Sequence, residues 1–228
     1  MDTRAFLKGF RFVDSFFPSG SYAYSSGLEA AVQGGAVKNS EEFSHFVLEV
    51  LTTGLGKREA VAAGFAHDAI VFGALEIAVK TDWELEAMKL GRELRMASRQ
   101  MGRQVVRSAA EQSDRHPLIQ DYLVAVEAGQ SPGHMAVAMG LTLAAAGWSK
   151  ADLIAVFLYQ AATGYVAAAM KLLPIGQREG QQLLDSWLDI IERIGQDAAP
   201  QRALSSWSPV QDIYAMRHRQ LESRLFRS

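Results

Sequence analysis

Residues 153–170, LIAVFLYQAATGYVAAAM, run for 18 positions without a charge. A helix that is apolar on all sides has two possible homes, the centre of a helical bundle or the interior of a bilayer. The stretch sits at the lower length limit for a membrane span. Gln160, Thr163, Gly164, two tyrosines and many alanines keep its hydropathy modest. It therefore reads as the central helix of a bundle, and the rest of the chain has to supply amphipathic helices that surround it. A membrane-associated helical protein is the competing reading of this segment.

The flanking sequence supplies such helices. Phe6, Leu7, Phe10, Val13 and Phe17 recur at helical spacing and stop at Phe17-Pro18-Ser19-Gly20. A second helix is predicted over about 24–33, ended by Gly34-Gly35. Asn39 and Glu42 form a capping pair that opens a third, to about 51. Helices follow over about 57–79, then 82–112 behind a Thr81/Glu84 cap, then a short one from Pro117 to Gly129. Ser131-Pro132 opens 132–146, Ser149 caps 150–172, and a last strong helix covers 178–195. No alternating β-branched run and no Asn-Gly hairpin marks a strand. The expected fold is all-α, a single domain of about eight to ten helices over 1–200. A tail follows over 201–228, loop-like to about 210 and then a short helix with a basic end. Its apolar residues need a surface, either on this chain or on a partner.

Composition excludes several classes of function. A chain of 228 residues can bury about 70 % of its unfolded surface, enough for a core without covalent staples. With no cysteine, disulfides, thiolate metal sites and thiol nucleophiles are excluded. This fits a reducing cytoplasm, and the charged first residues predict no secretory leader. A net charge of −2 disfavours nucleic acid as a partner. The five histidines, at 45, 67, 116, 134 and 218, include no pair one helical turn apart. Gly54-Leu55-Gly56-Lys57-Arg58 is a phosphate loop only superficially: Leu51 stands at its first glycine position, and Arg58 where Ser or Thr would bind magnesium. Asp185 and Asp189 share a predicted helix face and read as solvated carboxylates. No catalytic residue, cofactor site or metal site is expected, and His134 reads as a satisfied core histidine.

Four features remain. Residues 17–29, FPSGSYAYSSGLE, gather aromatics and small polar residues between two apolar helices, as a turn or as an interaction loop. Arg92, Arg95, Arg99, Arg103 and Arg107 form one helical stripe, either paired with carboxylates or docking an acidic partner. Lys171 closes the apolar helix, where a cation favours the dipole. The basic, partly apolar end, 217–228, either orders on binding or is tied to its own core.

In order along the chain, these segments are similar to the UreF family of urease accessory proteins. The match runs through Asp14…Phe17-Pro18-Ser19-Gly20-Ser21-Tyr22…Ser25-Ser26-Gly27-Leu28-Glu29, then Arg95-Met-Ala-Ser98-Arg-Gln-Met101-Gly102. It continues through Gly133-His134-Met-Ala-Val137-Ala138-Met-Gly140, where Met135-Ala136 departs from the Tyr-Pro often found there. Next come Val166-Ala-Ala168-Ala-Met-Lys171-Leu172-Leu-Pro174-Ile175-Gly176-Gln177 and Arg217-His218…Ser223-Arg224-Leu225-Phe226-Arg227-Ser228. The resemblance implies an all-α, non-catalytic cytoplasmic adaptor, a homodimer that acts in nickel insertion. Its implied partners are the accessory protein UreD (UreH in some organisms), the GTPase UreG, whose hydrolysis it would regulate, and the apo-urease subunits. The residues it points to are Tyr22, Ser26 and Glu29 at the N-terminal element, Arg224 and Phe226 at the C-terminal one, and Lys171 and Gln177 as a second surface. The two terminal elements are expected to lie side by side as one partner surface, neither having an evident core role. A small all-α enzyme with scattered pocket residues is the alternative from another class.

Overall fold

The computed structural model describes residues 2–112 and 115–227; Met1, Ser113, Asp114 and Ser228, the last residue of the C-terminal motif, lie outside them. Twelve α-helices and no strand occur among the described residues. They are α1 (Thr3–Val13), α2 (Leu28–Gln33), α3 (Ser40–Glu49), α4 (Glu59–Phe72), α5 (Leu75–Met88) and α6 (Arg92–Ala110), followed by α7 (Pro117–Glu127), α8 (Met135–Ala145), α9 (Lys150–Leu172), α10 (Gln177–Ser186), α11 (Leu188–Ala198) and α12 (Pro209–His218).

The centre is built from the most apolar helices. Every residue of α8 from Met135 to Leu143 is buried, and α4 presses closely against it. The close approach depends on Gly140: a Cβ there would lie 2.4 Å from the Ala63 carbonyl oxygen. The apolar stretch that singled out 153–170 falls within α9, which by length and composition is long and apolar enough to cross a membrane. Half of its most apolar window is buried inside the bundle, with Leu153, Ile154, Phe157, Leu158, Ala162, Tyr165 and Val166 in the interior.

The helix count exceeds the expected eight to ten because three predicted helices are broken, pieces of the first two joining as α5. The stretch from 57 to 112 is three helices, divided at Gly73, which adopts φ +63°, and again at Lys89–Gly91. Thr81 is no cap: it lies inside α5, buried, and its hydroxyl donates to the Ile77 carbonyl at 2.7 Å. The second break lets Lys89 turn inward, and the Arg95 guanidinium donates to the freed carbonyls of Lys89 and Leu90. The predicted 178–195 helix breaks at Trp187, whose buried indole donates to Ser44 Oγ at 3.1 Å. Asp185 and Asp189 therefore stand on different helices, both exposed.

Residues 50–55 form a turn of π-helix that ends α3. Gly54 sits there against α12, with Ser208 Cβ 3.1 Å from where its own Cβ would be. The C-terminal segment thus packs on this chain, with α12 against α2 and α6.

Candidate functional site

The segments singled out in the sequence meet on one side of the bundle. Residues 21–26 form a short 3₁₀ turn and a loop lying across α6, α8 and α9, and beneath them is a cleft of about 140 Å³. Ser98 and Met101 of α6, Met135 of α8, and Gly164 and Tyr165 of α9 line its walls. Tyr24 ties the loop to α6 by donating to Gln100 Oε1 at 2.8 Å.

Arg58, Glu59 and Lys89 form the floor of the cleft. All three are buried. Arg58 Nε donates to Glu59 at 3.1 Å, the Lys89 ammonium donates to the same carboxylate, and Arg58 also reaches Ser206 Oγ at 3.1 Å. Burial alone would raise the Glu59 pKa, but the two cations outweigh it and hold the carboxyl at about 2. Burial pushes Lys89 down. Asp212, on α12 beside this group, is pushed up by burial against the pull of Arg58. The two cations share the one Glu59 carboxylate, which supplies the pairing that buried charges require.

A second buried cluster fixes the Gly133-His134 element. The Asp82 carboxylate accepts from Tyr122 Oη at 2.9 Å, Ser131 Oγ at 2.6 Å, and the backbone N–H groups of Gly133 at 2.6 Å and His134 at 2.9 Å. His134 then lies between Ser98 Oγ at 3.1 Å and Glu86 Oε2 at 3.0 Å. Burial, reinforced by the nearby cations Lys89 and Arg99, lowers its pKa to about 3. Glu86 does not restore the proton, because Arg95 and Arg99 already neutralise it from its other side. The order Ser–His–carboxylate is that of a nucleophile, base and orienter. Here Ser98 Oγ also accepts the Met135 backbone N–H at 3.2 Å and the imidazole is fully enclosed, so the set serves to hold α6 to the head of α8. Of the arginine stripe, Arg95 and Arg99 meet Glu86 and Arg107 meets Glu127, leaving Arg92 and Arg103 on the exposed edge.

The N- and C-terminal elements do lie side by side, but Glu29 and Phe226 have core roles that the sequence reading missed. Glu29 is fully buried, and its carboxylate accepts from His218 Nε2 at 2.7 Å, Leu225 N at 2.6 Å and Phe226 N at 3.2 Å. Phe226 is 7 % exposed, under the Lys171 ammonium, 5.2 Å from its ring centroid. The Gly-Leu-Glu motif now has a physical reason. Gly27 adopts φ +93° at the head of α2, where a Cβ would lie 3.1 Å from Ala215 N and 3.2 Å from the Gln211 carbonyl oxygen, and Glu29 then faces the end of α12. Ser26 is half-buried at φ +51°, and its carbonyl accepts from Tyr165 Oη at 3.4 Å. Tyr22 is 77 % exposed, and Arg224, Lys171 and Gln177 are on the surface. Lys171 is continuous with the C-terminal element through Phe226.

Comparison with known proteins follows this geometry. The UreF family model matches residues 37–187, about two-thirds of the chain. The chain belongs to the UreF family. Curated relatives named urease accessory protein UreF include one from Haemophilus influenzae, 28 % identical over 218 residues, covering 95 % of this chain and 92 % of the relative. One from an Arthrobacter species is 29 % identical over 219 residues, covering 94 % and 93 %, and one from Yersinia enterocolitica is 27 % identical over 237 residues, covering 99 % of each. The motifs at both ends of the chain, outside the span of the family model, are the ones that Glu29 brings together.

Proposed function

We propose that this UreF-family chain is a non-catalytic adaptor in urease maturation. In this reading it works as a cytoplasmic homodimer that bridges UreD/UreH and the GTPase UreG, regulates that GTPase, and acts on apo-urease during nickel insertion. The observation that carries the reading is the composite face on which exposed Tyr22 of the N-terminal loop stands next to the C-terminal element bearing Arg224, with Lys171 beside it. Aromatic and arginine side chains on a rigid support are what a protein interface uses as anchors. The face is cationic and suits a partner that offers carboxylates. Its supporting residues, Ser26, Glu29 and Phe226, act from beneath; Gln177, at the start of α10, forms with Lys171 the second candidate surface, for the GTPase or for the second copy.

The second copy is assigned to the outer face of α1. Leu7, Phe10 and Phe16 are 58, 43 and 93 % exposed, and with Phe17 and Pro18 they line an apolar groove. Exposed aromatics gathered this densely mark an interaction site, and a projecting Phe16 beside a groove is self-complementary under a two-fold axis.

Capture of purified UreD by the chain and by the Tyr22→Ala and Arg224→Glu variants tests the first surface. Loss of at least about 2 kcal/mol of binding in either variant, with helicity unchanged, supports it; full binding by both removes the surface. Sedimentation of Phe16→Ser tests the second: a monomer is expected, and an unchanged dimer places the interface elsewhere.

A further inference from the structure

We propose that Glu29 is a positioning residue, a clasp whose single buried carboxylate decides whether the C-terminal strap is seated and so whether the Tyr22–Arg224 face exists. The face itself rests on the reading given above; the clasp does not.

The strap is the stretch after α12, Arg219 to Arg227, which forms no helix. Its apolar hold on the body is slight. Phe226 is buried, whereas Leu225 is 69 % exposed and Arg224 points to solvent. It is held instead by polar ties that converge on α2 and the loop before it. Gln33 Nε2 donates to the Ser223 carbonyl at 3.0 Å, Arg227 N donates to the Ala23 carbonyl at 2.8 Å, and between them Leu225 N and Phe226 N both donate to Glu29. The same carboxylate takes His218 Nε2 from the last turn of α12. One carboxylate therefore joins the first turn of α2 to both the end of α12 and the strap that follows it, about 190 residues away. Hydrogen bonds to an ionised acceptor are about twice as strong as neutral ones. Glu29 and His218 are both 0 % exposed, so no water competes for these bonds. Burying a carboxylate is costly and is compensated only when its lone pairs are filled. Here the strap amides help to fill them, so seating the strap and satisfying Glu29 are the same event.

The consequence is an order of assembly for the face. The loop that carries Tyr22 has its own tie to α6, Tyr24 to Gln100, besides the Arg227 N bond to its Ala23 carbonyl, so it keeps one anchor when the strap is released. Arg224 is one residue from the clasped amide of Leu225 and takes up its position only when that amide is bound. A partner with acidic groups would meet a preordered face in the clasped state and would have to order the strap itself in the released one.

The experiment is amide hydrogen exchange on the free full-length chain, read at Leu225, Phe226 and Arg227, in Glu29→Gln and in Leu225→Pro compared with Leu225→Ala. Glu29→Gln removes the charge and one acceptor oxygen. Leu225→Pro removes the donor N–H of an exposed residue and fixes its φ, leaves the Phe226 and Arg227 amides to be read, and stays informative if the buried substitution prevents folding. We expect Phe226 and Arg227 exchange to accelerate roughly 10- to 100-fold in Glu29→Gln and Leu225→Pro, and to stay within about 3-fold of the parent in Leu225→Ala, where the amide remains. Unchanged exchange in both perturbing variants overturns the clasp. Capture of UreD by the same variants separates the two claims. Faster exchange with weakened capture supports the positioning role. Faster exchange with capture intact, while Arg224→Glu abolishes capture, overturns positioning and leaves the face standing. Faster exchange with capture intact in Arg224→Glu and Tyr22→Ala as well overturns the face and leaves the clasp as a purely intramolecular lock.

Discussion

Acidification from pH 6.5 to 5 should weaken the fold by about 2 kcal/mol through His134 alone. The imidazole is fully buried, and its contacts fit the neutral ring, with Nε2–H donating to Glu86 and Nδ1 accepting from the Ser98 hydroxyl. Burial and the neighbouring cations hold its pKa near 3, against 6.5 for the free side chain. Above pH 6.5 the ring is neutral in both folded and unfolded chains, and the stability it supports is fully present. Below 6.5 the unfolded chain takes up a proton that the folded chain refuses, so stability falls by about 1.4 kcal/mol per pH unit until the folded group titrates. Glu59, held at about 2, adds a loss of the same sign only below its ordinary value of 4.5. Asp82 and Asp212, both raised by burial, act in the opposite sense. Urea denaturation of the parent and of His134→Gln at pH 7, 6.5, 5.5 and 5 removes these background terms by difference. The parent-minus-variant stability should be flat above 6.5 and then shrink by about 2 kcal/mol by pH 5. A constant difference would refute the buried neutral imidazole, and a difference that grows on acidification would show that the ring is protonated against Glu86.

Other substitutions probe the supports of the cleft. Gly102→Ala should cost about 3 kcal/mol or more in denaturant melts, because a Cβ there would sit 2.2 Å from the Gly133 carbonyl oxygen and 2.6 Å from Met135 N, both unyielding backbone. Gly164→Ala, with nothing within 4 Å of the new Cβ in the middle of α9, should instead stabilise by about 0.5–1 kcal/mol. Glu59→Gln strands two buried cations and should destabilise by about 3–5 kcal/mol; adding Lys89→Met should recover part of that loss, and strict additivity of the two would contradict the coupling.

Helix existence was legible in the sequence wherever a cap or a closing glycine stood next to a periodic run. The Asn39/Glu42 cap is present, with Asn39 accepting from Glu42 N at 2.9 Å. Ser149 likewise accepts from Asp152 N at 3.2 Å. The readings failed where tertiary contacts overrode local pattern. Thr81 and Glu84 have the spacing of a cap, yet Thr81 lies inside α5 with its hydroxyl on the Ile77 carbonyl, and Asp82 beside it is spent on the 131–134 turn. Nothing local marks Trp187 as a break, since its reason is Ser44, far away in sequence. The buried charges of the cleft floor were the hardest to read. Arg58 and Glu59 head an alanine-rich helix that is apolar on nearly every side, and an ion pair at the mouth of such a helix is the one signal that pointed inward. Glu29 passed for a surface residue because the donors that bury it, His218, Leu225 and Phe226, are almost 200 positions away.

The central claim, that this chain is an adaptor and works through surfaces, is tested most directly by light scattering on a mixture of the purified chain with UreD and UreG from the same organism, in the presence of magnesium and a GTP analogue. The account predicts one stable complex whose mass contains two copies of this chain. Three separately folded proteins that elute at their individual masses would contradict it.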